Sequence, residues 1–406
     1  MRRRLPPSLA LLCVLILTVA APAQAVDRAG LRATLATLHP RLGSDAGAYV
    51  VDLSSGEPIY AHRENLALAP ASNEKLFVTA TALLRFGSTG TLTTELRAAP
   101  DATIDANGVL HGNLYLVGGG DPTLDDAGLS DLADQVAGQG ITRIDGAVIG
   151  DESRFDSLRG GPDSAYRPDF DLGGWLSALS WRHGRSSAGG PASAAAARFA
   201  DLLKQRAVRY TQRPRVGRFA LTAGLSLTEP LATLLSPPMG QLIAETNVPS
   251  ENFYAEMLTK DLGAAFGAGG TTAAGLNVVR TQMATFGVRP RLVDGSGLSH
   301  ANRTTPRQVV RLLERMDAQD AAATWTASLA VAGRTGTLRK RMRGSAAAGR
   351  CVGKTGTLIG VSALSGYCTT TGGVPVAFSF LANRVCTWCA KRIEDRMVTA
   401  IARLDG

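Results

Sequence analysis

The spacing of apolar side chains along the chain has two periods, which predict helices packed on a sheet. After Pro70, apolar residues recur every three or four positions, at Leu76, Phe77, Ala80, Leu83 and Leu84. This spacing places them on one buried face of a helix, and a proline favours the helix start. Near the C-terminus, three runs are typical of strands: 351–358, 362–368 and 374–382. With an early hairpin, 47–53 and 59–61, they predict an α/β (α+β) fold in which helices pack an antiparallel sheet.

The pattern changes between residues 92 and 233, where Gly-, Asp- and Pro-rich segments alternate with short strands. We interpret this stretch as a smaller inserted domain, because the motifs described below lie on both sides of it. The predicted division is one domain of 26–91 and 234–406, with an inserted domain of 92–233. A single domain with a long excursion is the alternative. Further helices are expected at 26–38, 129–138, 192–206, 239–245, 253–262, 275–286, 305–316 and 390–404.

The N-terminus has the three parts of a secretory signal peptide. Arg2, Arg3 and Arg4 precede an apolar run from 9 to 20, and Ala23-Gln24-Ala25 is a small-x-small cleavage site. The run is short for a membrane span, although an uncleaved anchor is the alternative. We expect a signal peptide of 1–25, cleavage after Ala25, and export to the periplasm or the cell exterior.

Composition and charge narrow the classes of function. With 406 residues and 45% hydrophobic side chains, the chain can bury a large core. Its net charge is +9, but the positive residues are scattered, so no nucleic-acid partner is indicated. Mild basicity is compatible with weak association with anionic cell-envelope polymers. The five histidines lack the spacing of a zinc site, and we expect neither a metal nor a cofactor.

Five cysteines are present, and Cys13 would leave with the signal peptide. Cys351, Cys368, Cys386 and Cys389 then form an even set in an oxidising compartment, which predicts disulfides without fixing their pairing. Cys351 and Cys368 could face each other on neighbouring strands joined by a turn. Cys386 and Cys389 could close on each other or pair elsewhere, and no thioredoxin-like βαβ pattern around them favours a redox site.

The first candidate motif is Ser72-Asn73-Glu74-Lys75, at the start of the predicted helix. Ser72 and Lys75 are three residues apart, so their side chains meet on one helical surface. Burial and the positive end of the helix dipole lower the pKa of the amine, and a neutral lysine can accept the serine proton. Alternatively, Ser72 only caps the helix and Lys75 is solvated, which this short motif alone would favour.

Lys354-Thr355-Gly356-Thr357 lies in a predicted strand and is much rarer by chance. Its glycine lets a ligand approach the backbone, whose free edge N–H groups can hold an amide or an oxyanion. The threonine hydroxyls and Lys354 can hold a carboxylate. Residues 349–355 also resemble a Walker A loop, but one residue is missing between the glycines and no helix follows, so we reject ATP binding.

Ser250 and Asn252 form a weaker candidate pair. Asn252 can donate a hydrogen bond to a substrate amide carbonyl, and Ser250 can pass a proton to a leaving amine. The bland alternative is an N-cap of the helix that begins near Phe253, a role that could hold at the same time. The loop 294–299, Asp-Gly-Ser-Gly-Leu-Ser, lacks the Gly-x-Ser-x-Gly pattern of a nucleophile elbow.

In chain order, Ser-x-x-Lys, Ser-x-Asn and Lys-Thr-Gly form the combination found in penicillin-binding proteins and class A β-lactamases. Over nearly all of its mature length, the chain resembles the low-molecular-mass penicillin-binding proteins of the D-alanyl-D-alanine carboxypeptidase/endopeptidase type. Segments 118–124, 294–299 and 332–338 share in the resemblance. It implies a serine β-lactamase/transpeptidase-like fold with one inserted domain. It also implies an exported serine peptidase that cleaves peptidoglycan stem peptides and is acylated by β-lactams.

The resemblance also implies catalytic roles. Ser72 would be the acylated nucleophile and Lys75 its base, and Ser250, Asn252 and Lys354 would complete the proton network.

It further implies substrate contacts, in which Thr355 and Thr357 flank Gly356 and hold the terminal carboxylate. The N–H groups of Ser72 and Thr357 would form the oxyanion hole. His300 stands where relatives often have an arginine that binds the acidic end of the stem-peptide side chain. Binding of that side chain is therefore expected to be weakened or pH-dependent, with His300 as its candidate contact.

Two other functions compete with the peptidase. A β-lactamase would share the nucleophile but needs fast deacylation, and no convincing glutamate-bearing loop follows the second motif. A catalytically idle cell-wall-binding protein would use mainly the inserted domain, but its motifs would have no reason to be complete.

Overall fold

A computed structural model describes residues 26–184, 189–220 and 229–405 of the chain. The predicted signal peptide, 1–25, lies outside the described residues. None of the helices in the described ranges combines the length and apolar character needed to cross a bilayer.

The helices that the periodicity predicts are present, most of them shifted or extended by a few residues, and a short helix that it does not predict, Ala322–Ala327, is added. In chain order the helices are α1 (Arg28–Leu38), α2 (Lys75–Phe86), α3 (Asp126–Gly138), α4 (Gly190–Gln205), α5 (Met239–Asn247), α6 (Asn252–Phe266), α7 (Thr272–Thr285), α8 (Pro306–Asp317), α9 (Ala322–Ala327) and α10 (Thr387–Ala402).

The strands of the described residues form three sheets. In chain order they are β1 (Ala46–Asp52), β2 (Pro58–His62), β3 (Thr93–Ala98), β4 (Thr103–Ile104), β5 (Val109–His111), β6 (Leu114–Val117), β7 (Arg143–Ile144), β8 (Val148–Asp151), β9 (Arg209–Tyr210), β10 (Arg215–Val216), β11 (Ala232–Leu235), β12 (Ala330–Val331), β13 (Cys351–Leu358), β14 (Val361–Thr369) and β15 (Pro375–Asn383).

The largest sheet is antiparallel, with the order β12-β13-β14-β15-β1-β2. It confirms the predicted pairing of the early hairpin with the three C-terminal strands. Every residue of β1 is buried, because the sheet is covered on both faces. Along β1, Val50 packs with α1 and α10, whereas Val51 packs with α2 and the helices α5 to α8. This alternation explains why β1 is a continuous apolar run.

A second unit is built from the strands between Thr93 and Leu235, which form a five-stranded sheet and a four-stranded sheet. These strands and the helices α3 and α4 enclose a separate core that includes Leu116, Leu132 and Phe199. We propose that this unit is the inserted domain predicted at 92–233.

The four described cysteines form two disulfides, Cys351–Cys368 and Cys386–Cys389. Cys351 lies directly opposite Cys368 in the register of β13 and β14. The first bond therefore joins the beginning of the strand that carries Lys354 to its neighbour.

Candidate active site

Ser72 lies in a single 3-10 turn, Ala71–Glu74, and Lys75 is the first residue of α2. The sequence predicts a helix start here, and the structure places the serine in the tighter turn that precedes it. Ala71 has a positive φ of 47°, which is unusual for a residue with a side chain. The local backbone is thus set by what packs around it as well as by helix propensity.

Two glycines allow distant segments to pack against this turn. A Cβ atom on Gly356 of β13 would lie 2.4 Å from the carbonyl oxygen of Pro70. A Cβ atom on Gly297 would lie 2.0 Å from the carbonyl oxygen of Ala71, and Gly297 has a positive φ of 82°. Only glycine fits at either position without displacing the backbone beside Ser72. The strand with Lys-Thr-Gly and the loop 294–299 are thereby held against the turn.

Lys75 is completely buried and makes three hydrogen bonds through its Nζ. It donates to Ser72 Oγ at 2.9 Å, to Asn252 Oδ1 at 2.7 Å, and to the carbonyl oxygen of Ser296. The three acceptors come from the turn, from α6 and from the loop 294–299. Burial lowers the pKa of Lys75 to about 8, although the carboxyl groups of Asp294 and Glu256 oppose this shift. At that pKa the amine can exchange a proton with Ser72 near neutral pH.

Glu256 holds the backbone that faces Lys75. It lies one helical turn after Asn252 on α6, and its Oε1 accepts hydrogen bonds from the N–H groups of Gly295 and Ser296 at 2.8 and 2.7 Å. Asp294 accepts from the N–H groups of Gly297 and Ser299 at 2.8 and 2.6 Å, and from Asn302 Nδ2 at 2.7 Å. The two carboxyl groups fix the loop that presents the Ser296 carbonyl to Lys75.

The sequence assigned no role to Glu256 or Asp294. The four-residue spacing between Asn252 and Glu256 was the available signal, because it places both side chains on one helical face. Glu74, a third acid beside Lys75, is completely buried, and neither of its carboxyl oxygens has a hydrogen-bond partner among the described residues. Burial and the neighbouring Asp294 raise the pKa of Glu74 far above its usual value, which favours the protonated side chain.

Lys354, on β13, is also completely buried. Its Nζ donates to Ser250 Oγ at 2.7 Å and to the carbonyl oxygen of Thr355 at 2.9 Å. Burial, with a smaller contribution from the charge of Lys75, holds the pKa of Lys354 well below its usual value. Ser250 has a positive φ of 69°, and Glu251 occupies the residue before α6. The N-cap alternative for Ser250 is therefore wrong, since its hydroxyl points to Lys354.

The remainder of the Lys-Thr-Gly strand has a free edge. β12 pairs only with Gly353 and Val352 of β13, so within the described residues no strand covers that edge beyond Gly353. Thr355 Oγ1 donates to Thr337 Oγ1 at 2.9 Å, and Thr357 is exposed. Thr337 belongs to the segment 332–338, which the sequence singled out without assigning a residue.

His300 is exposed, and in the described part of the chain no hydrogen bond joins its ring to this network. Unlike the five catalytic candidates, His300 has no side-chain hydrogen bond to another residue named from the sequence within the described ranges. The second unit reaches the site close by: Ser299 Oγ donates to Asp163 Oδ1 at 2.8 Å, and Asn252 Nδ2 donates to the carbonyl oxygen of Asp171 at 2.7 Å.

The described side chains include no group of three or more His, Cys, Asp or Glu residues placed to hold a metal ion. What the site does contain is a serine beside a buried amine, a second serine beside a second buried amine, and a free strand edge. This arrangement can activate a hydroxyl, hold an amide along the strand and return a proton to a leaving group.

Comparison with known proteins gives a consistent result. The family model described as the D-Ala-D-Ala carboxypeptidase 3 (S13) family matches residues 28–171 and 183–404. A D-alanyl-D-alanine carboxypeptidase of Actinomadura sp. (strain R39) is 32% identical over 90% of this chain and 82% of the relative. The carboxypeptidase DacB of Mycolicibacterium smegmatis is 29% identical over 88% of this chain and 80% of the relative.

Among solved structures, penicillin-binding protein 4 from Haemophilus influenzae superposes with a TM-score of 0.74 at 20% identity. The match covers 89% of this chain and 97% of that protein. The likeness confirms the predicted fold class.

Proposed function

The chain belongs to the D-Ala-D-Ala carboxypeptidase 3 (S13) family, and we propose how its cleft carries out the chemistry of a serine-type D-alanyl-D-alanine carboxypeptidase. Ser72 Oγ attacks the carbonyl carbon of the substrate's D-alanyl amide, and Lys75 Nζ accepts the hydroxyl proton. One observation carries this assignment: a completely buried amine, with its pKa lowered to about 8, lies 2.9 Å from Ser72 Oγ.

Proton transfer to the leaving group falls to the second half of the site. Ser250, hydrogen-bonded to Lys354, donates a proton to the departing amine nitrogen as the carbon–nitrogen bond breaks. The N–H groups of Ser72 and Thr357 stabilise the oxyanion, and the hydroxyls of Thr355 and Thr357 bind the terminal carboxylate. Water then hydrolyses the ester on Ser72 and regenerates the enzyme.

The substrates are proposed to be stem peptides of peptidoglycan, with carboxypeptidase and endopeptidase activity on the same nucleophile. The second unit touches the site through Asp163 and Asp171 and would form part of the substrate cleft. His300, exposed beside Ser299, is proposed to contact the stem-peptide side chain. Export and association with the cell envelope follow from the predicted signal peptide.

Covalent labelling tests the nucleophile. We expect one benzylpenicillin adduct per chain, on the peptide that contains Ser72, when the full chain is treated and mapped by mass spectrometry. Ser72→Ala should abolish the adduct, whereas Ser55→Ala, in an exposed turn, should leave it unchanged. A well-folded protein without an adduct on Ser72 would contradict the assignment.

Product analysis tests the substrate. Purified pentapeptide muropeptides should lose D-alanine, and cross-linked dimers should be cut to monomers. The lifetime of the acyl-enzyme separates the peptidase from a β-lactamase: many minutes supports the peptidase, and seconds or less supports the lactamase. Absence of any D-alanine release would favour a wall-binding protein.

A further inference from the structure

The two disulfides occupy opposite environments. Cys351 and Cys368 are 1% and 2% exposed and lie inside the main sheet. Cys386 and Cys389 are both exposed and lie at the first turn of α10. A thiolate in solution can reach the second pair without any unfolding, whereas the first pair is covered.

The exposed pair contributes little as a structural cross-link. It spans three residues of sequence, compared with 17 for the buried pair. A cross-link that closes so short a loop removes little freedom from the unfolded chain. The helix start is also fastened independently, since the N–H of Ala390 donates to the carbonyl oxygen of Cys386 at 2.9 Å and the N–H of Val385 donates to that of Gly360 at 3.1 Å.

The position of Cys386 favours thiolate chemistry. It is the N-cap of α10, and its Sγ accepts a hydrogen bond from the N–H of Cys389 at 3.3 Å. A thiolate at this place is stabilised by the helix N-terminus. Trp388 lies between the two cysteines in sequence. The guanidinium of Arg392 lies 4.8 Å from the Trp388 ring centroid and adds positive charge near the cysteine pair. Strand β15 leads directly into this segment, so the pair sits on a strand–turn–helix connection although the surrounding fold is not thioredoxin-like.

We propose that Cys386–Cys389 is a thiol–disulfide exchange site that accepts two electrons from a partner dithiol. The partner's thiolate attacks Cys389 Sγ, the S–S bond breaks, and its electron pair leaves with Cys386 Sγ at the helix start. The partner's second thiolate then attacks the partner's first sulfur atom, which is bonded to Cys389 Sγ in the mixed disulfide. Cys389 is released as a thiolate. The partner becomes a disulfide, and the cysteine pair gains two electrons and two protons.

The surface around the sulfur atoms leaves room for such a partner. Trp388 is 67% exposed, and Ile359, in the turn after β13, is 94% exposed. Thr387 Oγ1 donates to the carbonyl oxygen of Leu358 at 3.4 Å, which places the cysteine segment beside that turn. Within the described residues, no side-chain hydrogen bond joins the cysteine pair to Ser72 or Lys75, and the proposal does not depend on the peptidase assignment.

Selective reduction tests the site. The native full chain is incubated with dithiothreitol, free thiols are trapped with iodoacetamide at timed intervals, and each cysteine peptide is quantified by mass spectrometry. We expect Cys386 and Cys389 to be alkylated together at a rate roughly 100-fold or more above that of Cys351 and Cys368. Equal rates for the two pairs, or reduction of Cys386–Cys389 only in denaturant, would overturn the proposal.

Single-cysteine variants test the assigned direction of exchange. Cys389→Ser leaves the Cys386 thiol, and Cys386→Ser leaves the Cys389 thiol. The alkylation rate of Cys386 should persist to a pH at least about one unit lower than that of Cys389, because its thiolate is the stabilised one. Identical pH profiles at the value of an ordinary cysteine would contradict the role given to Cys386. Neither measurement uses turnover, so failure here and failure of the peptidase assignment are distinguishable.

Discussion

The two halves of the cleft each bury one lysine, and the two lysines have different surroundings. Around Lys75 lie the carboxyl groups of Asp294 and Glu256, which oppose the effect of burial on its pKa. Around Lys354, the hydrogen-bond partners are the hydroxyl of Ser250 and the carbonyl of Thr355, and in the described ranges no carboxylate forms an ion pair with it. Its charged neighbour is Lys75, which lowers its pKa further.

This difference shows how one residue type can serve two proton-transfer steps. Burial lowers the pKa of both amines, and the acids oppose this effect at Lys75. Lys75 therefore changes its protonation near pH 8 and can take a proton from Ser72. The pKa of Lys354 is held well below its usual value, which favours the neutral amine in the free cleft, so its hydrogen bond with Ser250 can orient a proton relay. A bound carboxylate would raise the pKa of Lys354, which couples substrate binding to proton uptake.

The largest expected effect is a loss of acylation rate that is greater for removal of Lys75 than for removal of Lys354. Lys75→Ala should slow acylation by benzylpenicillin about 1,000-fold, because Ser72 loses its base. Lys354→Ala should slow it about 10- to 100-fold, since the relay is impaired while the base remains. The measurement is the second-order rate constant of acylation, with Lys391→Ala on α10 as the control for loss of a lysine outside the cleft. Equal losses for the two cleft variants would show that both amines serve the nucleophile.

A second prediction concerns stability. Lys354→Met should stabilise the protein by about 1–3 kcal/mol at neutral pH, because it replaces a buried amine with an apolar side chain of similar size. The sign follows from linkage: the pKa of Lys354 is lower in the native protein than in the unfolded chain. The unfolded chain therefore binds more protons between the two pKa values, and wild-type stability rises with pH there. The advantage of Lys354→Met should therefore shrink towards pH 10 in urea unfolding.

Lys75→Met is the matched comparison for that experiment. It leaves Asp294 and Glu256 buried without their cation, so any gain should be smaller or reversed. If both methionine variants are equally stabilised, Asp294 and Glu256 do not change the energetic cost of burying Lys75 relative to Lys354.

Local pattern predicted the strand from Cys351 to Leu358 with the same bounds as the structure, because its neighbours on both sides are also strands and its register is fixed by the sheet. The position of Ser72 beside Lys75 also followed from three-residue spacing. The 3-10 turn at Ser72 did not, since it depends on the close approach of Gly297 and Gly356, which are more than 200 residues away in sequence.

The acids beside Lys75 could not be assigned from sequence for a similar reason. A glutamate within a helix and an aspartate in a glycine-rich loop are usually solvated. Glu256 and Asp294 are buried only because α6 and the loop 294–299 close over α2. The pKa of Lys75 thus depends on tertiary packing, whereas the pairing of Ser72 with Lys75 can be predicted from the motif alone.

The third prediction removes one of those charges. The acylation rate of the wild type should rise with pH and level off above about 8, because only neutral Lys75 accepts the Ser72 proton. Glu256→Gln retains an acceptor for the N–H groups of Gly295 and Ser296 but removes a negative charge, so the pKa of Lys75 should fall by about one unit. In Glu256→Gln, the acylation rate should then rise at a pH that is lower by about the same amount as the pKa of Lys75.

The pH profile of acylation measures this shift. Glu394→Gln is the control, because Glu394 is also completely buried but contacts Ser362 and Arg341 outside the cleft. An unshifted profile for Glu256→Gln, with a normal unfolding transition, would mean that Glu256 only positions the loop.

The smallest expected effect lies on the Lys354 side. Because burial lowers the pKa of Lys354 and so disfavours its positive charge in the free cleft, carboxylate binding there depends more on hydroxyl groups. Thr337 accepts the hydrogen bond of Thr355. Thr337→Val removes that acceptor while keeping the shape of the side chain, which costs about 1 kcal/mol in orienting the Thr355 hydroxyl. KM for a D-alanyl-D-alanine peptide should rise about fivefold with kcat nearly unchanged, and Thr337→Ser should restore it. A fall in kcat with an unchanged KM would instead place Thr337 among the groups that act in the transition state, and the division of labour between the two halves of the cleft would not hold.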